Sequence, residues 1–135
     1  MKKLFFLFAI TILFVSCQED YYETKWEVVN LEVRSAQWTL DSDDDGLNKY
    51  FYSTFDMPEI TPKVYDLGNV QVYYEADGIQ QVLPYVRHYE NSEGALWTRT
   101  VDYSFASGSL TIYVTNSDFF LETPPDMNFR VVIMW

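Results

Sequence analysis

The sequence predicts an all-β protein: an antiparallel two-sheet β-sandwich of about eight strands, with Greek-key or jelly-roll-like links. Three observations carry that prediction. Aromatic residues make up 19% of the 135-residue chain, a share that suits strands better than a helical bundle because flat side chains pack on pleated faces. From Trp26 onward, short stretches of alternating apolar and polar residues succeed one another, which is the period of a half-buried strand. All five glycines, Gly46, Gly68, Gly78, Gly94 and Gly108, fall between those stretches. Strands this short and this numerous bury their apolar faces as two packed sheets or as a closed barrel, and the sandwich is preferred. Parallel pairing would need long helical crossovers, for which the sequence has no segment.

The elements follow in order. Trp26, Val28 and then Val29, Leu31 and Val33 give a first strand with a register change, read as a bulge near Asn30. Ala36, Trp38 and Leu40 alternate in a second, and residues 47–55, with four aromatics, form a third. Thr61 is a helix N-cap, Pro62 a first helical residue and Gly68 a stop, so one helical turn is expected over 61–67. Val70, Val72 and Tyr74 make a fourth strand. Gln81 to Tyr89 makes a fifth, in which Pro84 cannot donate to a ladder and marks an edge or a bulge. Trp97 to Phe105, Leu110 to Val114 and Phe129 to Trp135 supply the last three. Asp45-Gly46 and Asp77-Gly78 are hairpin signals, since a type I′ turn needs positive φ at both central residues. Ser107-Gly108 is a third tight connection. Trp26, Trp38, Val72, Val101, Ile112, Val131 and Ile133 are the expected core.

Ahead of this domain the chain reads as an address. Lys2 and Lys3 precede an apolar run of 12 residues, Leu4 to Val15. That run is too short to span a bilayer, which takes about 20 residues, and has the size of a signal-peptide core. Val15-Ser16-Cys17 resembles a bacterial lipobox, with Phe14 where Leu is usual. Such a motif requires a thiol, because the sulfur receives the diacylglycerol; buried acyl chains contribute about 0.8 kcal/mol per CH₂. Residues 1–16 are therefore expected to be a lipoprotein signal peptide, residues 17–25 the lipidated Cys17 and an acidic tether, and residues 26–135 one domain. The tether, Gln18-Glu19-Asp20-Tyr21-Tyr22-Glu23, resembles the surface-export signal of Bacteroidetes lipoproteins. The expected location is the outer membrane, lipid-anchored, facing the periplasm or the cell surface.

Charge and residue supply exclude several function classes. Nine Lys and Arg stand against 20 Asp and Glu, a formal charge of -11, so counterion release cannot drive the chain onto nucleic acid. One Cys and one His cannot build a disulfide framework, a Cys/His zinc site or a Cys–His nucleophile pair. His88 stands alone and reads as a strand-face residue. No phosphate loop, nucleophile elbow or His-Glu-x-x-His motif is present. A small sandwich with short loops has little room for a deep cleft, so a non-catalytic protein without a cofactor is expected.

Two features remain as ligand candidates. Asp41-Ser42-Asp43-Asp44-Asp45-Gly46 places carboxylates on alternate residues before a glycine, as calcium loops do. The pattern then decays: Lys49 stands where a ninth-position ligand belongs, and Tyr52 where a bidentate Glu belongs. Calcium at Asp41, Asp43 and Asp45 is weighed against a solvated hairpin loop, and the loop is favoured. The second feature is the surplus of Tyr. Tyr50, Tyr52, Tyr73 and Tyr113 have strand parity opposite to the core, and exposed rings stack on sugars or anchor a protein.

Taken together, the lipobox, Trp26 with Val28, Trp38 before the Asp-rich loop, Ile60-Thr61-Pro62, Gly68-Asn69-Val70-Gln71-Val72-Tyr73, Val82-Leu83-Pro84-Tyr85 and Phe129-Arg130-Val131-Val132-Ile133 resemble the small lipoproteins of gut-type Bacteroidetes. That resemblance covers nearly the whole chain and rests on structural motifs. It implies an envelope location and a β-sandwich, and it carries over no functional residue. The expected function is a lipid-anchored interaction or accessory module with a protein or glycan partner. The alternative is a module that binds a glycan or small ligand, with calcium assisting.

Overall fold

A computed structural model describes residues 23–118 and 121–135. The expected signal peptide, Cys17 and the tether up to Tyr22 lie outside the described residues. Nine strands form in the described chain: β1 (Trp26–Val33), β2 (Thr39–Ser42), β3 (Lys49–Met57), β4 (Asn69–Ala76), β5 (Ile79–Val82), β6 (Tyr85–Glu90), β7 (Leu96–Ala106), β8 (Gly108–Asn116) and β9 (Met127–Met134). A 3₁₀ turn (Ser35–Gln37) and one short helix, α1 (Pro62–Leu67), complete the elements. The strands make two antiparallel sheets, β1-β9-β4-β5 and β2-β3-β8-β7-β6. The sandwich prediction holds.

Period-two alternation fills the space between the sheets. Val70 and Val72 of β4 and Phe129, Val131 and Ile133 of β9 face Phe51 of β3, Val101 of β7 and Leu110, Ile112 and Val114 of β8 in one buried cluster. The predicted core residues Val72, Val101, Ile112, Val131 and Ile133 are all fully buried. Tyr103 ties the sheets together, its hydroxyl donating to the Val70 carbonyl at 2.8 Å.

Several local expectations are corrected. The β1–β9 register runs unbroken from Trp26 opposite Met134 to Val33 opposite Met127, so there is no bulge at Asn30. One parity then serves the whole strand. Val29, Leu31 and Val33 take the inner face, which turns Trp26 outward, 68% exposed instead of in the core. Trp38 is buried as expected, but not in a strand. Ser35–Gln37 winds as a 3₁₀ turn closed by the Arg34 amide donating to Gln37 Oε1 (2.8 Å), and Leu40 is exposed.

The fifth expected strand divides at the cis Leu83–Pro84 bond. β5 pairs with β4 in one sheet, and β6 pairs with β7 in the other. The proline therefore marks a change of sheet, which accounts for nine strands where eight were expected. Asp77-Gly78 is the predicted I′ hairpin, with φ of 53° and 74° between paired Ala76 and Ile79. Asp45-Gly46 is not: only Gly46 has positive φ, and the connection spans residues 43–48.

The helical turn forms as predicted, with Thr61 Oγ1 accepting from the Val64 amide. Gly68 ends it for a different reason from the expected one. Its backbone is extended, and a Cβ there would lie 2.5 Å from the Met134 carbonyl oxygen. That contact sets α1 against the end of β9.

Candidate functional site

The outer face of the five-stranded sheet is the first candidate. β3 and β8 pair so that Tyr52 stands opposite Tyr113, with Tyr50 one step along the same face. The Tyr50 ring lies 5.9 Å from Tyr113, edge-on, and 6.4 Å from Tyr52. Three of the four tyrosines assigned to the solvent side by parity thus share one surface. Tyr73 faces outward from the other sheet, on β4, where Tyr74 is the residue packed toward the core.

Hydroxyl and carboxyl groups frame the rings. Thr54 and Thr111 pair through their hydroxyls (2.9 Å), and Ser104 meets the Tyr113 hydroxyl at 3.0 Å. Asp102 stands opposite Tyr113 across β7–β8. A shallow depression of about 190 Å³ is lined by Asp41, Tyr50, Tyr52, Thr54, Thr111 and Tyr113. Partial burial raises the Tyr50 hydroxyl above its ordinary value, with Asp41 adding to the effect. Burial likewise raises the Asp102 carboxyl. Tyr50 accordingly stays a neutral donor at physiological pH.

The acidic loop is built differently from a cation site. Asp43 Oδ1 accepts from the Leu47 and Asn48 amides, both at 3.1 Å, and Asp43 Oδ2 accepts from the Asn48 side chain. Asp45 Oδ1 accepts from the Leu47 amide (3.2 Å), and Asp41 Oδ1 from the Ser42 amide (2.8 Å). A hydrogen bond with Asp45 and the Asn48 amide hold the Asp43 carboxyl below its ordinary value. Its oxygens serve the turn. Among the described residues no group of three or more His, Cys, Asp or Glu side chains is placed to hold a metal ion. His88 sits on the outer face of β6, its Nδ1 2.9 Å from Thr98 Oγ1.

A second concavity escaped the sequence reading. At the sandwich end away from α1, the inner face of β6–β7–β8 runs past the core. Tyr89 stacks on Trp97 (4.4 Å, 16°), and the Arg99 guanidinium lies 5.3 Å from the Trp97 ring centre. Beside them a cavity of about 260 Å³ is lined by Asn91, Trp97, Arg99, Asn116, Asp118 and Glu122. The alternation of Trp97, Arg99 and Val101 was visible in the sequence. What no local signal carried is that the opposite sheet stops short of covering the first two.

Compared with protein-family models, curated proteins and solved structures, the chain finds no match. Among the described residues no helix is long and apolar enough to cross a membrane.

Proposed function

We propose that this chain is a lipid-anchored, non-catalytic binding protein of the bacterial outer membrane, held at Cys17 and presenting the Tyr50–Tyr52–Tyr113 face to a glycan. The observation that carries the reading is three tyrosines side by side on an exposed sheet face, framed by hydroxyls and carboxylates. Aromatic rings take the apolar faces of sugar rings, and the polar frame takes their hydroxyls. The surface is shallow and open, a form that suits docking along a chain better than enclosing a reacting bond. This agrees with a chain that has the resemblance to Bacteroidetes lipoproteins noted above.

The termini favour the same orientation. Lys25 and Trp135 exchange backbone hydrogen bonds, both 2.9 Å. The tether would therefore leave from the α1 end. Eight residues of β1 rise roughly 25 Å away from that end, so a bilayer at Cys17 leaves the tyrosine face accessible from the side.

The test has two arms. Cys17→Ala should release the protein from the membrane fraction of expressing cells; a wild type that is already soluble refutes the anchor. The second arm runs the full chain, purified in detergent, through native gels cast with neutral polysaccharides. Retardation by at least one glycan, lost in Tyr52→Ala/Tyr113→Ala, is expected. Retardation that survives the double change refutes the face, and a wild type retarded by none refutes the glycan.

A further inference from the structure

We infer that the outer face of the four-stranded sheet, at the rows nearest the chain's entry, seats on a lipid bilayer through Trp26. The inference rests on the anchor proposed at Cys17 and deepens it: the acyl chains hold the protein at the membrane, and this surface sets which side of it meets the lipid. Parity defines the surface. Val29, Leu31 and Val33 turn inward, as do Val70, Val72, Val131 and Ile133, so the alternate residues of β1, β9 and β4 share the outer face. The register arranges them in rows. Met134 pairs with Trp26 on one side and Asn69 on the other, and Val132 pairs with Val28 and Gln71. Those two rows carry no charge, in a chain of which 21% is charged. Glu27, between Trp26 and Val28, takes the opposite face. Trp26 is 68% exposed, and Leu67 of α1, two residues before Asn69, is 80% exposed.

Beyond these rows the same face changes in the order that a membrane interface asks for. The third row brings a cation, Arg130, which also donates to Gln80 Oε1 (3.3 Å). The fourth brings the acids Glu32 and Glu75. A cation next to the apolar rows meets anionic headgroups, and the acids stay farthest from them. The course of the chain argues for the same occupant. Lys25 and Trp135 exchange backbone hydrogen bonds, both 2.9 Å, so the chain enters the domain at the Trp26 row. Cys17 lies eight residues before Lys25, and eight residues reach at most roughly 29 Å. A lipid held at Cys17 keeps Trp26 within reach of the bilayer, so an interfacial affinity too weak to recruit a free protein acts here as an intramolecular contact. Trp is a side chain that favours the interface. The Tyr50–Tyr52–Tyr113 face belongs to the other sheet, and this seating turns it away from lipid.

The experiment reconstitutes the full chain, purified in detergent from expressing cells, into vesicles of phosphatidylcholine and phosphatidylglycerol with or without bromine on the acyl chains. Bromine quenches only tryptophan that reaches the lipid, and the intact mass of the same sample reads acylation. Wild type should be quenched. Trp26→Phe should lose most of that quenching, because Trp38 is buried, Trp135 packs against the core and Trp97 stacks on Tyr89. Leu67→Asp, at an exposed position, should weaken the quenching while melting like wild type. Tyr52→Ala/Tyr113→Ala should leave it unchanged. Acylated protein that is not quenched, or quenching that survives Trp26→Phe, overturns the inference and leaves the anchor standing. A mass without acyl chains refutes the anchor and the inference with it. A wild type that cross-links as a dimer on the vesicles, and as a monomer after Trp26→Ala, assigns the surface to a second copy and overturns the inference.

Discussion

Trp38 offers the sharpest measure of the packing. It lies between the 3₁₀ turn and β2, 7% exposed, with its indole Nε1 donating to the Pro125 carbonyl at 3.2 Å. Close by, the Ser35 amide donates to Asp126 Oδ1 at 2.7 Å. One side chain therefore fills the core and pins the segment that leads into β9, the strand lying between β1 and β4. Trp38→Ala removes the ring and leaves a cavity, which costs about 3–5 kcal/mol. The lost indole donor adds about 1 kcal/mol. For a domain near 100 residues this lowers Tm by on the order of 15 °C or more. Trp38→Phe keeps the ring packing and loses the donor, and should cost a small part of that. Trp26→Ala is the control: exposed on an edge strand, it should melt close to wild type. Differential scanning calorimetry of the three variants reads all of this directly. A Trp38→Ala protein within about 5 °C of wild type, or a Trp26→Ala protein that falls as far, would refute the reasoning.

Three further outcomes are expected. Gly78→Ala places a Cβ in the left-handed region at the β4–β5 turn (φ 74°) and should cost about 1–2 kcal/mol by denaturant titration; no change would refute the I′ assignment. Burial raises the folded Asp102 pKa above 3.8, so its contribution favours folding below that pH and is lost as pH rises through the folded value. Asp102→Asn should therefore raise Tm at pH 7, and the advantage should vanish below pH 3.8; a lower Tm at pH 7 refutes it. Asp43 is shifted the other way, and its oxygens already serve the turn. Calcium should give no more stabilisation than magnesium at matched ionic strength, and a calcium-specific rise abolished by Asp43→Asn would restore the cation reading.

Much of the fold was legible because the sandwich is written in period two. Val70, Val72, Ile112, Val114, Val131 and Ile133 declare their inner face by alternation alone, and Asp77-Gly78 declares its turn by backbone chemistry. The failures arise where two signals compete. At β1, Trp26 and Val28 argue for one face and Val29, Leu31 and Val33 for the other. The larger ring draws attention, but the unbroken register decides. At Leu83–Pro84, the sequence shows a ladder interruption and cannot show that the chain crosses to the other sheet. The tyrosine face was legible by parity. The concavity beside the Tyr89–Trp97 stack was not, because it depends on strand pairing and on where the connecting loops lie.

The two ends of the sandwich carry different side chains, and the difference bears on the proposed anchor. At the α1 end, Trp26, Tyr65 and Leu67 are exposed, and Gly68 packs closely against the Met134 carbonyl. A soluble surface gains nothing from that apolar group. A domain tethered a few residues from a bilayer does, since Trp and Tyr favour the interface between headgroups and acyl chains. At the far end, roughly one strand length away, lie the Tyr89–Trp97 stack with Arg99 and the acidic loop, together with the exposed Leu47 and Leu96. Reversing the molecule would instead bring the carboxylates of the acidic loop toward the lipid. With the anchor proposed at Cys17, the α1 end would face the bilayer and the far end would face away from it.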